Sequence, residues 1–211
     1  MFKRLFIFFS FLLISSSVFA RDIKPYIEGL ITYNKIDDST GKSIDRDFGD
    51  TYPYYAKNDN NIGYGVEIGI AELLPKVRLA GQFLQTNFDI KSEISPGITY
   101  LNGNSSGNGK NSVKLYMLNA YYDFDLSEKI IPFVGVGIGA ADINHQEGKE
   151  LALQGMIGAK YKINDQLYMG IKGSYINMNG GNFSTKDFPE WLFKIEDTKI
   201  YSGGVFVGYN F

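Results

Sequence analysis

The chain has 211 residues, a formal net charge of −2, a hydrophobic content of 44% and no cysteine. That length suits one domain, the near-balanced charge offers no basic face for nucleic acid, and the lack of thiols excludes a disulfide scaffold, a thiolate nucleophile and a cysteine metal cluster. With 24 Gly, 15 Tyr and 16 Phe and no apolar recurrence at a 3.6-residue period, the composition points to β-sheet.

The first twenty positions follow the order of a secretory signal. Lys3 and Arg4 precede residues 5–14, apolar except for Ser10, and Ser15, Ser16 and Ser17 lead into Val18-Phe19-Ala20. This predicts a signal peptide over 1–20, cleavage between Ala20 and Arg21, and a mature domain over 21–211. Ten apolar residues are half of the roughly 20 that a helical span requires, so the segment reads as removable and not as an anchor. No other run approaches 18 apolar residues, which excludes a helical membrane protein. Loss of Lys3 and Arg4 takes the formal charge from −2 to −4.

Beyond the signal, apolar residues recur at every second position. In 62–71, Ile62, Tyr64, Val66, Ile68 and Ile70 alternate with Gly63, Gly65, Glu67, Gly69 and Ala71. The same period appears in eight segments: 24–33, 62–71, 77–90, 112–124, 131–143, 151–163, 167–178 and 198–211. Each is about as long as a tilted transmembrane strand. Connections alternate too, with long ones at 34–61, 91–111 and 179–197 and short ones at 72–76, 125–130 and 164–166. The 144–150 connection falls on the long side. The prediction is all-β: an eight-stranded antiparallel up-and-down transmembrane β-barrel with long extracellular loops and short periplasmic turns. A soluble sandwich or lipocalin-like barrel is the alternative. It would need bulky inward faces, whereas the polar faces here carry Gly63, Gly65 and Gly69, or Gly135, Gly137 and Gly139.

On the inward register, Glu28, Glu67, Arg78, Lys160 and Lys172 fall near one end of the strands, with Gln82, Asn119, Gln154 and Ser174 able to complete a polar network. Charges confined together in a lumen pair and hydrogen-bond. Eight strands leave an interior that side chains just fill, so a structural plug is preferred over an ion pathway.

The final segment alternates Val205, Val207, Tyr209 and Phe211 outward and ends on an aromatic, and it resembles the C-terminal assembly signal of outer-membrane barrels. Pro132-Phe133-Val134-Gly135-Val136-Gly137-Ile138-Gly139 resembles the fifth strand of opacity-family porins and related small outer-membrane β-barrels. The resemblance implies a bacterial outer-membrane location, contact with lipid and lipopolysaccharide, and reading of Val205, Val207, Tyr209 and Phe211 by the barrel-assembly machinery. Relatives of this shape include loop-mediated adhesins, surface antigens, small-solute channels and structural barrels.

Eight-stranded barrel enzymes, the palmitoyl-transferase and the lipid A deacylase, place a His and a Ser near the outer rim. Here the lone His145 is followed by Gln146-Glu147-Gly148, so the deacylase His-x-Ser-Asn pattern is missing and His145 reads as a solvated loop residue. Asp37, Asp38, Asp45, Asp47 and Asp50 lack EF-hand spacing and read as a solvated acidic loop. Residues 102–111, rich in Gly, Ser and Asn, read as a flexible loop. Tyr52, Tyr54, Tyr55, Phe188 and Trp191 are candidate loop contacts for a host or envelope ligand, or members of an interfacial girdle. No cofactor or metal is expected. The favoured function is a surface-interaction or structural barrel and not an enzyme, the alternative being a small channel for ions or small solutes, with a lipid-modifying barrel enzyme a distant third.

Overall fold

The computed structural model describes residues 23–94, 108–144, 149–185 and 188–211; the expected Ala20–Arg21 cleavage point and His145 lie outside them. The described chain forms β1 (Lys24–Ile36), β2 (Ser39–Asp45), β3 (Thr51–Asn58), β4 (Asn61–Leu74), β5 (Val77–Ile94), β6 (Asn108–Asp123), β7 (Ile130–Ile143), β8 (Glu150–Lys162), β9 (Leu167–Met178), β10 (Asn182–Thr185), β11 (Phe188–Ile195) and β12 (Thr198–Asn210). Eight of these, in the order β1-β4-β5-β6-β7-β8-β9-β12, pair antiparallel with their neighbours, and β12 returns to β1 to close a barrel. Closure leaves no open edge in the spanning region, the condition for backbone in lipid.

The eight barrel strands coincide with the eight predicted segments, several of them running further into the loops. A row of paired residues followed around the wall shows the stagger. It runs from Tyr26 through Gly69, Ala80, Asn119, Gly137, Gln154, Ile176 and Ile200 to Ile36, ten residues beyond its start on β1. For eight strands this stagger implies a tilt of about 41° and a backbone radius of about 8 Å.

Outward positions are apolar and open. Ile68 and Leu118 retain 61% and 68% of their surface, and Val136, Ile157 and Ile171 are similarly exposed. Aromatics band both ends of this belt. Tyr33, Tyr64, Tyr116, Tyr175 and Tyr201 ring the long-loop end, while Tyr122, Phe124, Tyr161, Tyr209 and Phe211 ring the short-turn end. An apolar belt between two aromatic girdles is the lipid-facing surface of a transmembrane barrel.

At the short-turn end, Leu74 pairs with Val77 around Pro75-Lys76, and Lys76 takes φ 67°. Proline followed by a left-handed residue is type II turn geometry. At the other end the structure departs from the expected loops. Residues 34–61 and 179–197 contain β2, β3, β10 and β11, and β5 and β6 continue their pairing through Lys91 and Asn108, so 108–111 is strand and not flexible loop. β3 pairs with the distal part of β5, β2 with β3, β11 with β2 and β10 with β11. The barrel wall therefore continues past its rim as a sheet.

Candidate functional site

The lumen at the short-turn end is a closed network of charged and phenolic groups. Arg78, on β5, directs Nε at both carboxylate oxygens of Asp123 (3.1 and 3.0 Å) and Nη1 at Glu28 Oε1 (3.4 Å). Its guanidinium lies 4.5 Å from the Tyr121 ring centroid, with Tyr26 and Phe133 on its other sides. Lys160 donates to Asp123 Oδ2 at 2.6 Å. Glu28 accepts a further bond from the Tyr168 hydroxyl at 2.9 Å.

Glu67 is fully enclosed and accepts four donors: Tyr26 OH at 3.0 Å, Tyr121 OH at 2.6 Å, Lys172 Nζ at 3.2 Å and Asn119 Nδ2 at 3.4 Å. Asn119 Nδ2 also reaches Gln82 Oε1 at 3.0 Å. Three carboxylates (Glu28, Glu67, Asp123) thus face three cations (Arg78, Lys160, Lys172), every one of them in an ion pair. Buried ions are tolerated on these terms, paired and with remaining lone pairs occupied.

All seven residues expected in the lumen network are therefore brought together. Gln154 and Ser174 also line the lumen, but Gln154 Oε1 is a buried acceptor with no donor, and the pair adds no bond to the network. Sequence reasoning missed Asp123, Tyr26, Tyr121 and Tyr168. The signal was present for all four: Tyr26 stands two residues before Glu28, Tyr168 four before Lys172, and Tyr121 and Asp123 continue the inward alternation from Asn119.

Glycine makes room for this network. A Cβ at Gly135 would fall 2.5 Å from the Tyr121 ring, one at Gly69 2.6 Å from the Tyr26 ring, and one at Gly158 2.5 Å from Phe133. Large side chains from one strand lie across glycines of the next. The inward glycines of β4 and β7 are therefore seats for bulky neighbours, which answers the argument that such faces could not fill a core.

The other half of the lumen is mainly apolar, with a buried polar seam in which Asn34 Nδ2 donates to Thr86 Oγ1 at 3.2 Å and Thr32 and Ser202 are also enclosed. Ile36, Leu84, Phe88, Val113, Leu115, Met117, Ala141, Ala152, Ile176, Met178 and Ile200 form one buried cluster toward the long-loop end. Leu115 and Ile176 are wholly enclosed. Below the charged layer, at the short-turn mouth, a vestibule of about 640 Å³ reaches Arg78, Asp123, Lys160 and Tyr168. From one mouth to the other the lumen therefore runs from open vestibule to charged layer to a mainly apolar layer that encloses the Asn34–Thr86 pair.

On β12, Val205, Val207 and Tyr209 face outward, and the backbone N–H of Phe211 donates to Pro25 O at 2.9 Å, extending the β12–β1 closure. In the sheet beyond the rim, Tyr54 and Tyr55 of β3 stand opposite Gly41 and Thr40, while Phe188 and Trp191 of β11 stand opposite Thr185 and Asp45. The Tyr52 hydroxyl donates to Asp50 Oδ2 at 3.5 Å, and the negative charge of Asp50 holds this phenol above its ordinary pKa. Among the described residues no cluster of His, Asp and Glu is arranged to hold a metal ion.

A family model described as outer membrane protein beta-barrel domain matches residues 6–211. Over 124 residues the chain is 27% identical to outer membrane protein PagN of Salmonella typhimurium, covering 49% of this chain and 52% of PagN. Over 95 residues it is 30% identical to an uncharacterized protein of Brucella abortus, covering 36% of this chain and 34% of that protein. The chain thus spans between a third and about half of the curated relatives it matches. The crystal structure of Neisserial surface protein A shares the fold at a TM-score of 0.54 and 12% identity, covering 89% of this chain and 97% of that one. The charged-and-apolar lumen, the banded lipid-facing wall and the match over nearly the whole sequence lead to one conclusion: the chain belongs to the outer membrane protein beta-barrel domain family and resides in the bacterial outer membrane.

Proposed function

We propose that this protein is a surface-interaction barrel, anchored by its wall and acting through the sheet beyond its rim. The observation that carries the reading is the filled lumen: a charge-balanced network and a mainly apolar layer of packed side chains lie in series across it. A conducting barrel needs a continuous wet path, and an apolar layer of packed side chains interrupts one. Functional variety in a rigid scaffold then falls to its connections, which here continue the wall as β2, β3, β10 and β11.

Within this reading the lipid-facing belt meets acyl chains, the outer aromatic band meets lipopolysaccharide, and Val205, Val207, Tyr209 and Phe211 serve the barrel-assembly machinery. A host or envelope ligand meets the extracellular sheet. Planar-bilayer recording of the refolded mature protein tests the reading. Bilayers without steady conductance are expected, and a reproducible open pore would replace the interaction role with transport.

A further inference from the structure

The turn between β2 and β3 carries an exposed apolar side chain beyond the barrel rim. Phe48 retains 82% of its surface. Among the side chains described, every other strongly exposed large apolar one belongs to the barrel wall, the short turns or Phe211. Lipid accounts for those of the wall, but not for Phe48, which lies beyond the rim. The seven residues of β2 extend the hairpin by about 23 Å from the barrel rim at roughly 3.3 Å per residue.

The turn that holds Phe48 is built. Asp45 Oδ1 accepts the backbone N–H groups of Asp47 (2.9 Å) and Phe48 (3.3 Å). The Asp45 carbonyl accepts from Gly49 N at 2.8 Å, and Asp45 N donates to Asp50 O at 2.9 Å. Gly49 supplies the φ of +75° that the reversal requires, a conformation costly for other residues. Four hydrogen bonds thus fix the backbone from which the Phe48 ring projects into water, which lowers the entropic cost of using it as an anchor. Around it Asp45, Arg46, Asp47 and Asp50 leave a formal charge of −2.

We propose that this hairpin tip is a binding site, with Phe48 the anchor that enters an apolar pocket, bordered by cations, on a protein partner. The acidic surround repels sulfated or phosphorylated glycans, and a hydrophobic pocket with a Lys- or Arg-rich rim complements both the ring and the charge around it. The proposal rests on the surface-interaction reading and names the residue that reading leaves open.

The test uses the full-length protein in nanodiscs and a phage-displayed library of random 12-residue peptides as probe. Selection on the wild type is expected to enrich peptides that combine aliphatic or aromatic residues with Lys or Arg. Phe48→Ser should weaken their binding by roughly tenfold or more, Phe48→Trp should preserve it, and Asp47→Lys should weaken it in a manner that salt reduces. Folding of each variant is checked by heat-modifiable gel mobility. Failure to enrich peptides, or enrichment of acidic ones, overturns the proposal. So does Phe48-dependent flotation with phosphatidylcholine vesicles or Phe48-dependent dimerisation, which would assign the ring to lipid or to a second copy. Peptides that bind Phe48→Ser unchanged, but are lost when residues 39–58 are replaced by a Gly-Ser turn, sink the anchor and keep the surface role. Steady wild-type conductance together with no enrichment removes both.

Discussion

Glu67 shows what one residue does in the lumen. Its carboxylate is the acceptor for two phenols, an amide and Lys172, so Glu67→Gln removes the charge that Lys172 needs while keeping an acceptor oxygen. Breaking one member of a buried pair costs about 3–5 kcal/mol, and the retained amide should hold the loss near 3 kcal/mol. Urea titration followed by gel mobility should show a lowered midpoint, and Lys172→Met added to Glu67→Gln should recover part of it. Equal midpoints for wild type and Glu67→Gln would mean that the network carries no stability. The glycine seats give a contrast at the same scale. Gly135→Ala places a methyl against Tyr121, whose hydroxyl holds Glu67, and should cost about 1–3 kcal/mol. Gly81→Ala, on the outward face with no atom within 4 Å, should be neutral or stabilising by up to about 1 kcal/mol. Unfolding midpoints in that order check the packing.

Among elements, the eight wall strands were legible in the sequence because lipid outside and a mostly polar or small inner face force a period of two. Ile62 to Ile70 against Gly63 to Ala71 is unambiguous. The strands beyond the rim were not legible, since Ser-Thr-Gly-Lys-Ser-Ile-Asp in β2 has no apolar alternation and owes its place in the sheet partly to β11, distant in sequence. The apolar layer was hidden for the opposite reason. Leu115 and Ile176 point inward beside Tyr116 and Tyr175, which point outward, so both faces are apolar and alternation cannot separate them. The sheet beyond the rim ends on β10, four residues long with a register shift between Phe183 and Thr185. A short, irregular edge discourages edge-to-edge pairing, so the purified protein should remain monomeric in nanodiscs at micromolar concentration. Light scattering that reports a dimer abolished by a Pro at Ser184 would contradict this.

For the whole molecule, the order of the layers matters more than the charges alone. With a mainly apolar layer in series with the charged network, Glu67→Gln should leave the bilayer silent. The Leu115→Gly, Ile176→Gly double variant should instead admit ions, at a stability cost of at least about 4 kcal/mol from two emptied core positions. Conductance in Glu67→Gln but not in the double variant would place the seal in the charged layer. Orientation is tested independently, because a Cys placed at Asp165, in a short turn, should resist an impermeant thiol reagent on intact cells, whereas one placed at Asp47 should react.

The ten-residue stagger has a further effect on how this barrel is made. A slip of one residue where β12 meets β1 would turn the lipid-facing side chains of one strand inward, so only even steps exist, and the neighbouring solutions are staggers of eight and twelve. Each step changes the radius by about 0.7 Å, more than an interior packed at Tyr121 over Gly135 and Tyr26 over Gly69 can absorb. The calibre of this barrel is therefore a discrete quantity, set by the registers of its eight seams together.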